Sequence, residues 1–437
     1  MKLRKRMLLL TLAATLLCTA MLPLSSPAEN EKVTLRVSWW GGDSRHAALL
    51  SIIEAFTAAN PDIVIEPEYS AFAQYRDKFN IQLTSHASAD VMAVDQPWVA
   101  RLVKEGDYFL DLNEYAELLQ LDSFDSFLMN NYCCFDGRTL FVPAGINGMG
   151  SLVDANALIP FGFDPNAETF TWDQLIALGE KIHEADNANY LCCVDSKQAA
   201  LYYMRVYLRQ LTGTQLINDD GTLGCTKEEL AQALGLVDTL YKKSIFQPIA
   251  EHAVYNNSMT QNPAWIDRHM FMILGRTSVM TDMSARLPKE DGSYTTQGFV
   301  MPIMENAKES GIEVRPSTMF AISKDCKYPE AAVKFLSFLF TDPTAVEMMK
   351  ANYSIPAREE SRTIANAKNL LDPSALANAE YSLKNAGNLL NSWSSNSEVE
   401  AMFTEIMEKI AYGQYADMNE AADEVIERIE NIVDSNS

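Results

Sequence analysis

Residues 32–98 alternate strand and helix patterns so regularly that few architectures can accommodate them. "KVTLRVSW" reads as a strand, and "AALLSIIEAFTAA" then repeats apolar residues at Leu49, Ile52, Ile53 and Phe56, the helical spacing. "NPD" stops that helix, "IVIEPEY" is the next strand, and "YRDKFNIQLTSH" predicts a second helix. "ADVMAVD" is a short apolar run suited to burial in a parallel sheet. Strand–helix–strand–helix–strand with short links predicts a doubly wound α/β layer. Such sheets bind ligands beyond the carboxyl ends of their strands. Trp39, Trp40 and Asp43 lie at the end of the first strand; Asp95, Gln96 and Trp98 lie at the end of the third. Both groups therefore aim at one crevice.

A second unit begins near "LFVPAGINGMGSLVDANAL", where Pro143, Gly145, Gly148 and Gly150 interrupt a strand-like run and suit a hinge crossing. Beyond it the chain turns mainly helical. Thr171…Gln174 and Thr226…Glu229 have capping-box spacing ahead of "WDQLIALGEKIHEA" and "KEELAQALGLVDTLYKK". Trp172 belongs to that first helix entry as a packing residue. "TSVMTDM", "QGFVMPIM" and "PSTMFAIS" read as strands, and "PEAAVKFLSFLFT", "DPTAVEMMKA" and two amphipathic segments around Ile406 and Ile426 as helices. This divides the chain into a leader (1–28), a first lobe (29–144), a second lobe (145–282), a return to the first lobe (283–320) and a helical return to the second (321–437).

Lys2, Arg4, Lys5 and Arg6 precede an apolar run from Met7 to Leu22, with Ser26 and Ala28 at the −3 and −1 positions of a cut before Glu29. That is the pattern of a secretory signal peptide and not of a membrane span, because the run is short. A lipid anchor at Cys18 is the alternative, disfavoured by the bulky Leu17 before it. Removing the leader takes away four basic residues and no acidic ones, so the formal charge of −23 becomes −27. An excess of that sign excludes nucleic acid, which needs a basic face, and argues against anionic lipid. The mature chain keeps Cys133, Cys134, Cys192, Cys193, Cys225 and Cys326, with two vicinal pairs and no CxxC. Neighbouring cysteines on a strand point to opposite faces, so small buried apolar side chains are expected ahead of structural disulfides or metal ligands.

Catalytic and cofactor motifs are missing: there is no HExxH, GxSxG, P-loop or GxGxxG. No cofactor and no metal are expected. The stacking inventory is richer. An aromatic face presents apolar area to a pyranose ring, while carboxylates, amides and guanidiniums bond its hydroxyls. Trp40, Tyr75, Trp98, Trp265 and Trp393 could supply faces, and Asp43, Arg45, Asp95 and Asn147 polar clamps. Alternation along a strand sends Trp39 and Trp40 to opposite faces, and Trp40 is the one expected to meet ligand.

The run from "VTLRVSWWGGDSRHAALLSIIEAFTAANPD" through "DQPW", with "LFVPAGINGMGSLVDANAL", "TFTWDQLIALGEKI", "PSTMFAISKDCKYPEAAVKFLSFLFTDPTAVEMM" and "NYSIPAREE", resembles family 1 of the extracellular solute-binding proteins. These are the carbohydrate receptors of ABC importers. The resemblance implies an α/β, two-lobed periplasmic-binding-protein-like fold of type II, with a sugar cleft between the lobes. It also implies a monomer outside the cytoplasm that is not an enzyme and that docks on permease subunits in the membrane. The family positions carried over are Trp40, Asp43, Arg45, Tyr75, Asp95 and Trp98, then Asn147 at the hinge; Trp265, Arg315 and Trp393 follow from composition and placement. "WWGG" followed by "RH" is similar to a subgroup that includes oligogalacturonide-binding proteins, in which Arg45 and His46 would pair with uronate carboxylates. A neutral oligosaccharide is expected first, because acidic pectin fragments would meet an acidic protein. An oligogalacturonide receptor, or a secreted carbohydrate-active enzyme, are the alternatives.

Overall fold

The computed structural model describes residues 32–287 and 296–436. The leader, its cut and Cys18 lie outside the described residues. The first lobe opens with β1 (Val33–Trp40), α1 (Asp43–Ala59), β2 (Ile63–Ser70), α2 (Phe72–Thr84), β3 (Val91–Val94) and α3 (Gln96–Glu105). β1 pairs in parallel with β2 and β3, as the short right-handed links require. α1 buries Leu49, Ile52, Ile53 and Phe56, and α2 buries Tyr75, Phe79 and Leu83, each a stripe at helical spacing. Asp90 accepts a hydrogen bond from the Arg36 amide at 2.8 Å and so joins β1 to the start of β3.

The chain leaves this sheet through β4 (Val142–Pro143) and continues directly into β5 (Gly145–Asp154), ten residues buried from end to end. β6 (Met272–Arg276) and β7 (Thr296–Phe299) pair with the far half of β5, and β8 (Val314–Pro316) with its near half, all antiparallel. β9 (Met319–Ile322) then re-enters the first sheet between β3 and β4, and β10 (Ile355–Pro356) touches the start of β5. The order of the first sheet is β2-β1-β3-β9-β4. Two strand pairs thus cross side by side, β4–β5 up and β8–β9 back, and a third link runs between Ala367 and Pro373.

The second lobe is mainly helical. Thr171 and Thr226 each form a complete capping box, with Gln174 and Glu229, at the starts of Trp172–Ala185 and Lys227–Lys242. Ser397–Ala411 and Met418–Asn436 pack together at the C-terminal end.

Three expectations need correction. "TSVMTDM" is not a strand: Thr277–Ser284 is helical and buries Thr277, Met280, Met283 and Ser284, a helical stripe. The boundaries 283–320 and 321–437 also shift. β7 and β8 belong to the second sheet, the chain rejoins the first only at Met319, and the helices Pro329–Thr341 and Pro343–Met349 pack on α1. A helical run does not reveal which sheet it covers, and that produced the misplacement. Finally, Gly145, Gly148 and Gly150 do not loosen β5. A Cβ at Gly145 would lie 1.9 Å from the Tyr353 carbonyl oxygen, and one at Gly150 would lie 1.5 Å from Asn378 Nδ2. They are spaces for close approach.

Candidate functional site

The carboxyl ends of β1 and β3 carry an aromatic cluster. The Trp40 ring lies 5.3 Å from Tyr75, 5.6 Å from Phe72 and 5.7 Å from Trp98, and Phe72 stacks on Trp98 at 5.6 Å. The sheet is covered on both faces, so alternation does not expose either tryptophan. Trp39 is fully buried, stacks on Tyr69 of β2 and donates Nε1–H to His46 Nδ1 at 3.1 Å. Trp40 retains 9 % exposure behind Phe72, which keeps 41 %. The accessible face of the cluster is therefore Phe72 with half-buried Trp98, and Trp40 backs it. Tyr75 is a pillar: its hydroxyl donates to the Ala93 carbonyl at 2.8 Å and meets Ser38 Oγ at 3.1 Å, and burial pushes it far above the usual phenol range. Phe72 was missed in the sequence, although "SAF" places it two residues past the end of the strand that neighbours β1.

Beside this wall, the crossing strands gather the polar groups. Asn147 and Arg315 are direct cross-strand partners on β5 and β8. Asn147 Oδ1 accepts from the Ser278 amide at 3.3 Å. Arg276, at the end of β6, donates Nη2–H to Glu313 at 2.6 Å, and Arg315 Nε lies 4.0 Å from the same carboxylate. Burial alone would raise the Glu313 pKa, but Arg276, Arg315 and Arg205 together hold it below the ordinary value. Across the cleft stands Asp95 at the start of α3, raised by burial and drawn partly back by Arg315. The structure thus brings Asp95, Asn147 and Arg315 together, along with Arg205, Arg276 and Glu313, which sequence reading did not single out. No motif marks those three; strand pairing brings Arg276 beside Glu313, and Arg205 reaches them from the helix Arg205–Thr212.

The remaining candidates lie apart from this cluster. Arg45 donates to the Asn352 and Trp40 carbonyls at 2.9 and 3.1 Å and lies 4.3 Å over the Tyr353 ring, with burial lowering its pKa. Its guanidinium is a staple between the end of β1 and residues 352–353. Asp43 is exposed in the first turn of α1. Trp265 is fully buried and donates Nε1–H to the Met283 carbonyl at 2.8 Å, which leaves it no face for a ligand. That expectation is corrected: a tryptophan with its N–H satisfied by backbone is core. Trp393 is half-buried in the turn Ser392–Ser395, next to Arg205, which donates to the Ser394 carbonyl at 3.0 Å.

A groove of about 940 Å³ also opens between the lobes, lined by Ser44, Arg45 and Asn352 on one side and Ser278, Thr281 and Asp282 on the other. Among the described residues no three His, Cys, Asp or Glu side chains converge in metal-binding geometry. All six described cysteines are free thiols. No described helix is long and apolar enough to cross a membrane.

Residues 42–346 match the family of bacterial extracellular solute-binding proteins. A binding protein of Brucella abortus (strain 2308) is 22 % identical over 233 residues, 52 % of this chain and 54 % of its own length, so the chain spans about half the length of the curated relatives it matches. A periplasmic solute-binding protein from Pectobacterium atrosepticum superposes with a TM-score of 0.79 at 23 % identity, covering 92 % of this chain and 99 % of the other. A periplasmic oligogalacturonide-binding protein from Yersinia enterocolitica, solved with saturated digalacturonic acid, gives a TM-score of 0.76 at 21 % identity over 92 % and 99 %. At such identities the likeness is one of fold.

Proposed function

This chain belongs to the bacterial extracellular solute-binding proteins, and from that premise we propose that it is a carbohydrate receptor that delivers an oligosaccharide to an ABC importer. The observation that carries the reading is the pairing of an aromatic face with a polar floor across one hinge. Phe72 and Trp98 offer flat apolar area for the faces of sugar rings. Asn147 and Arg315 offer donors and acceptors to hydroxyls from the other side, and Asp95, beside Trp98 at the start of α3, accepts from the first. The two walls come from different lobes, so a ligand touching both favours the closed state by its differential affinity, with no catalytic step. Asp43, exposed at the start of α1, extends the proposed site along the first-lobe rim, which Arg45 braces through the Trp40 and Asn352 carbonyls.

A thermal-shift screen against an oligosaccharide panel, with chromatography of the same mixtures, tests this. A receptor raises its Tm with one class of sugar and leaves that sugar intact. Shorter products would make the protein an enzyme, and the absence of any Tm shift across the panel would count against carbohydrate.

A further inference from the structure

The charge balance at the hinge is unlike that of the rest of the chain. Overall, 58 acidic residues outnumber 35 basic ones. Around Glu313 the order reverses. Arg205 from the helix Arg205–Thr212, Arg276 from β6 and Arg315 from β8 all act on this one carboxylate. Only Arg276 closes a short pair with it, at 2.6 Å. Arg315 stops at 4.0 Å, and its Nε has no hydrogen-bond partner among the described residues. Arg205 bonds the neutral carbonyl of Ser394, which leaves its charge uncompensated by that contact. Asp95 is the second acid that reaches Arg315, and Glu400, the second that reaches Arg205, is itself paired with Lys197 at 2.9 Å.

A structural role would be met by the Arg276–Glu313 pair alone. Two further cations are each repelled by Arg276, which is unfavourable unless something negative joins them. The cluster is also reachable: the Arg315 side chain keeps 25 % exposure and Arg276 13 %. A guanidinium fork matches a carboxylate in two parallel hydrogen bonds, a fit that a sugar hydroxyl does not reproduce.

We propose that the hinge end of the site receives a carboxylate, so that the solute is an acidic saccharide bearing uronic acid, selected by Arg315 and Arg205. This rests on the carbohydrate reading above and narrows it. It does not rest on Arg45 and His46, which are occupied by Asn352, Trp40 and Trp39. Phe72 and Trp98 would hold the ring faces while the arginines hold the acid.

The test is calorimetric titration of the mature protein with uronic-acid disaccharides (galacturonate, glucuronate and mannuronate), each beside its methyl ester and its neutral parent sugar. One acid is expected to bind at least about tenfold tighter than its ester, and added salt should weaken the acid alone. Arg315→Gln should weaken the acid by about 10- to 100-fold and the ester by less, so that the preference for acid over ester shrinks, since a hydrogen bond to a charged group contributes about 1.5–3 kcal/mol. Arg205→Gln is the second variant, with melting curves showing that both are folded. Esters or neutral sugars binding as tightly as acids, or full affinity in both folded variants, would overturn this inference and leave the carbohydrate reading standing. No binding by any member of the panel would overturn both.

Discussion

Neighbouring residues on β1 have separate duties. Trp39 fills the layer shared with Tyr69 and His46, whereas Trp40 supports the Phe72–Trp98 face. Trp39→Ala should therefore cost about 3–5 kcal/mol of stability in denaturant melts, as a fully buried aromatic does. Trp98→Ala should leave the melt nearly unchanged and weaken saccharide binding by about 2 kcal/mol, roughly thirtyfold. Trp40→Ala should lower both. Full affinity in a folded Trp98→Ala protein would remove the stacking face from the site. His252 gives a second prediction at this scale. It is fully buried, with Nδ1 3.2 Å from Cys193 Sγ and 3.1 Å from Asn262 Nδ2, and burial lowers its pKa below 6.5 while Asp195 opposes the shift in part. Below pH 6.5 the unfolded chain takes up a proton that the folded chain resists. Stability is then fully present above pH 6.5 and falls as pH drops toward the lowered folded pKa, by at most about 1.4 kcal/mol per pH unit. Urea unfolding at pH 7.5 and 5.5 should show this loss, and His252→Gln should lack that share of it.

At the level of elements, the parts read most easily from the sequence were those with local signals. The capping boxes at Thr171 and Thr226 and the stripes of α1 and α2 depend on spacing within one segment, and each is present. What the sequence could not supply was pairing across long separations. Arg276 and Glu313 become neighbours only because β6 and β8 flank the same strand, Arg205 reaches them from the helix Arg205–Thr212, and nothing local to any of them marks it. The glycines of β5 were visible, but their purpose was not, because the atoms they accommodate come from residues 353, 378 and 382. Gly150→Ala would drive a Cβ into Asn378, whose Oδ1 is held by Thr277 Oγ1 at 2.9 Å. A loss of about 1–3 kcal/mol is expected, read as a lower urea midpoint with unchanged m. The thiols behave in the same contextual way. Cys133, Cys192 and Cys193 are buried, and burial raises each pKa, that of Cys192 to about 12. A thiol reagent should reach these three only after denaturation; rapid labelling of all six in the native protein would contradict the packing.

Across the whole molecule, two sheets share a hinge made of continuous strands. β4 runs into β5 and β8 runs toward β9, with the Ala144 amide bonded to the Thr318 carbonyl and the Ser317 amide to the Gly145 carbonyl at 2.9 and 2.8 Å. The two-lobed α/β class was legible because strand–helix alternation and the glycine-rich crossing are both local patterns. The exact return points were not, since helices covering the first sheet look no different from helices covering the second. Paired strands resist shear but bend at the few residues between sheets, Ala144 and Ser317–Thr318, which is the geometry of a hinge. Small-angle scattering of the mature protein, alone and saturated with the saccharide that binds it, is the most direct test of a receptor whose lobes close over a solute. A smaller radius of gyration in the bound state is the predicted result; the same radius at full saturation would contradict it.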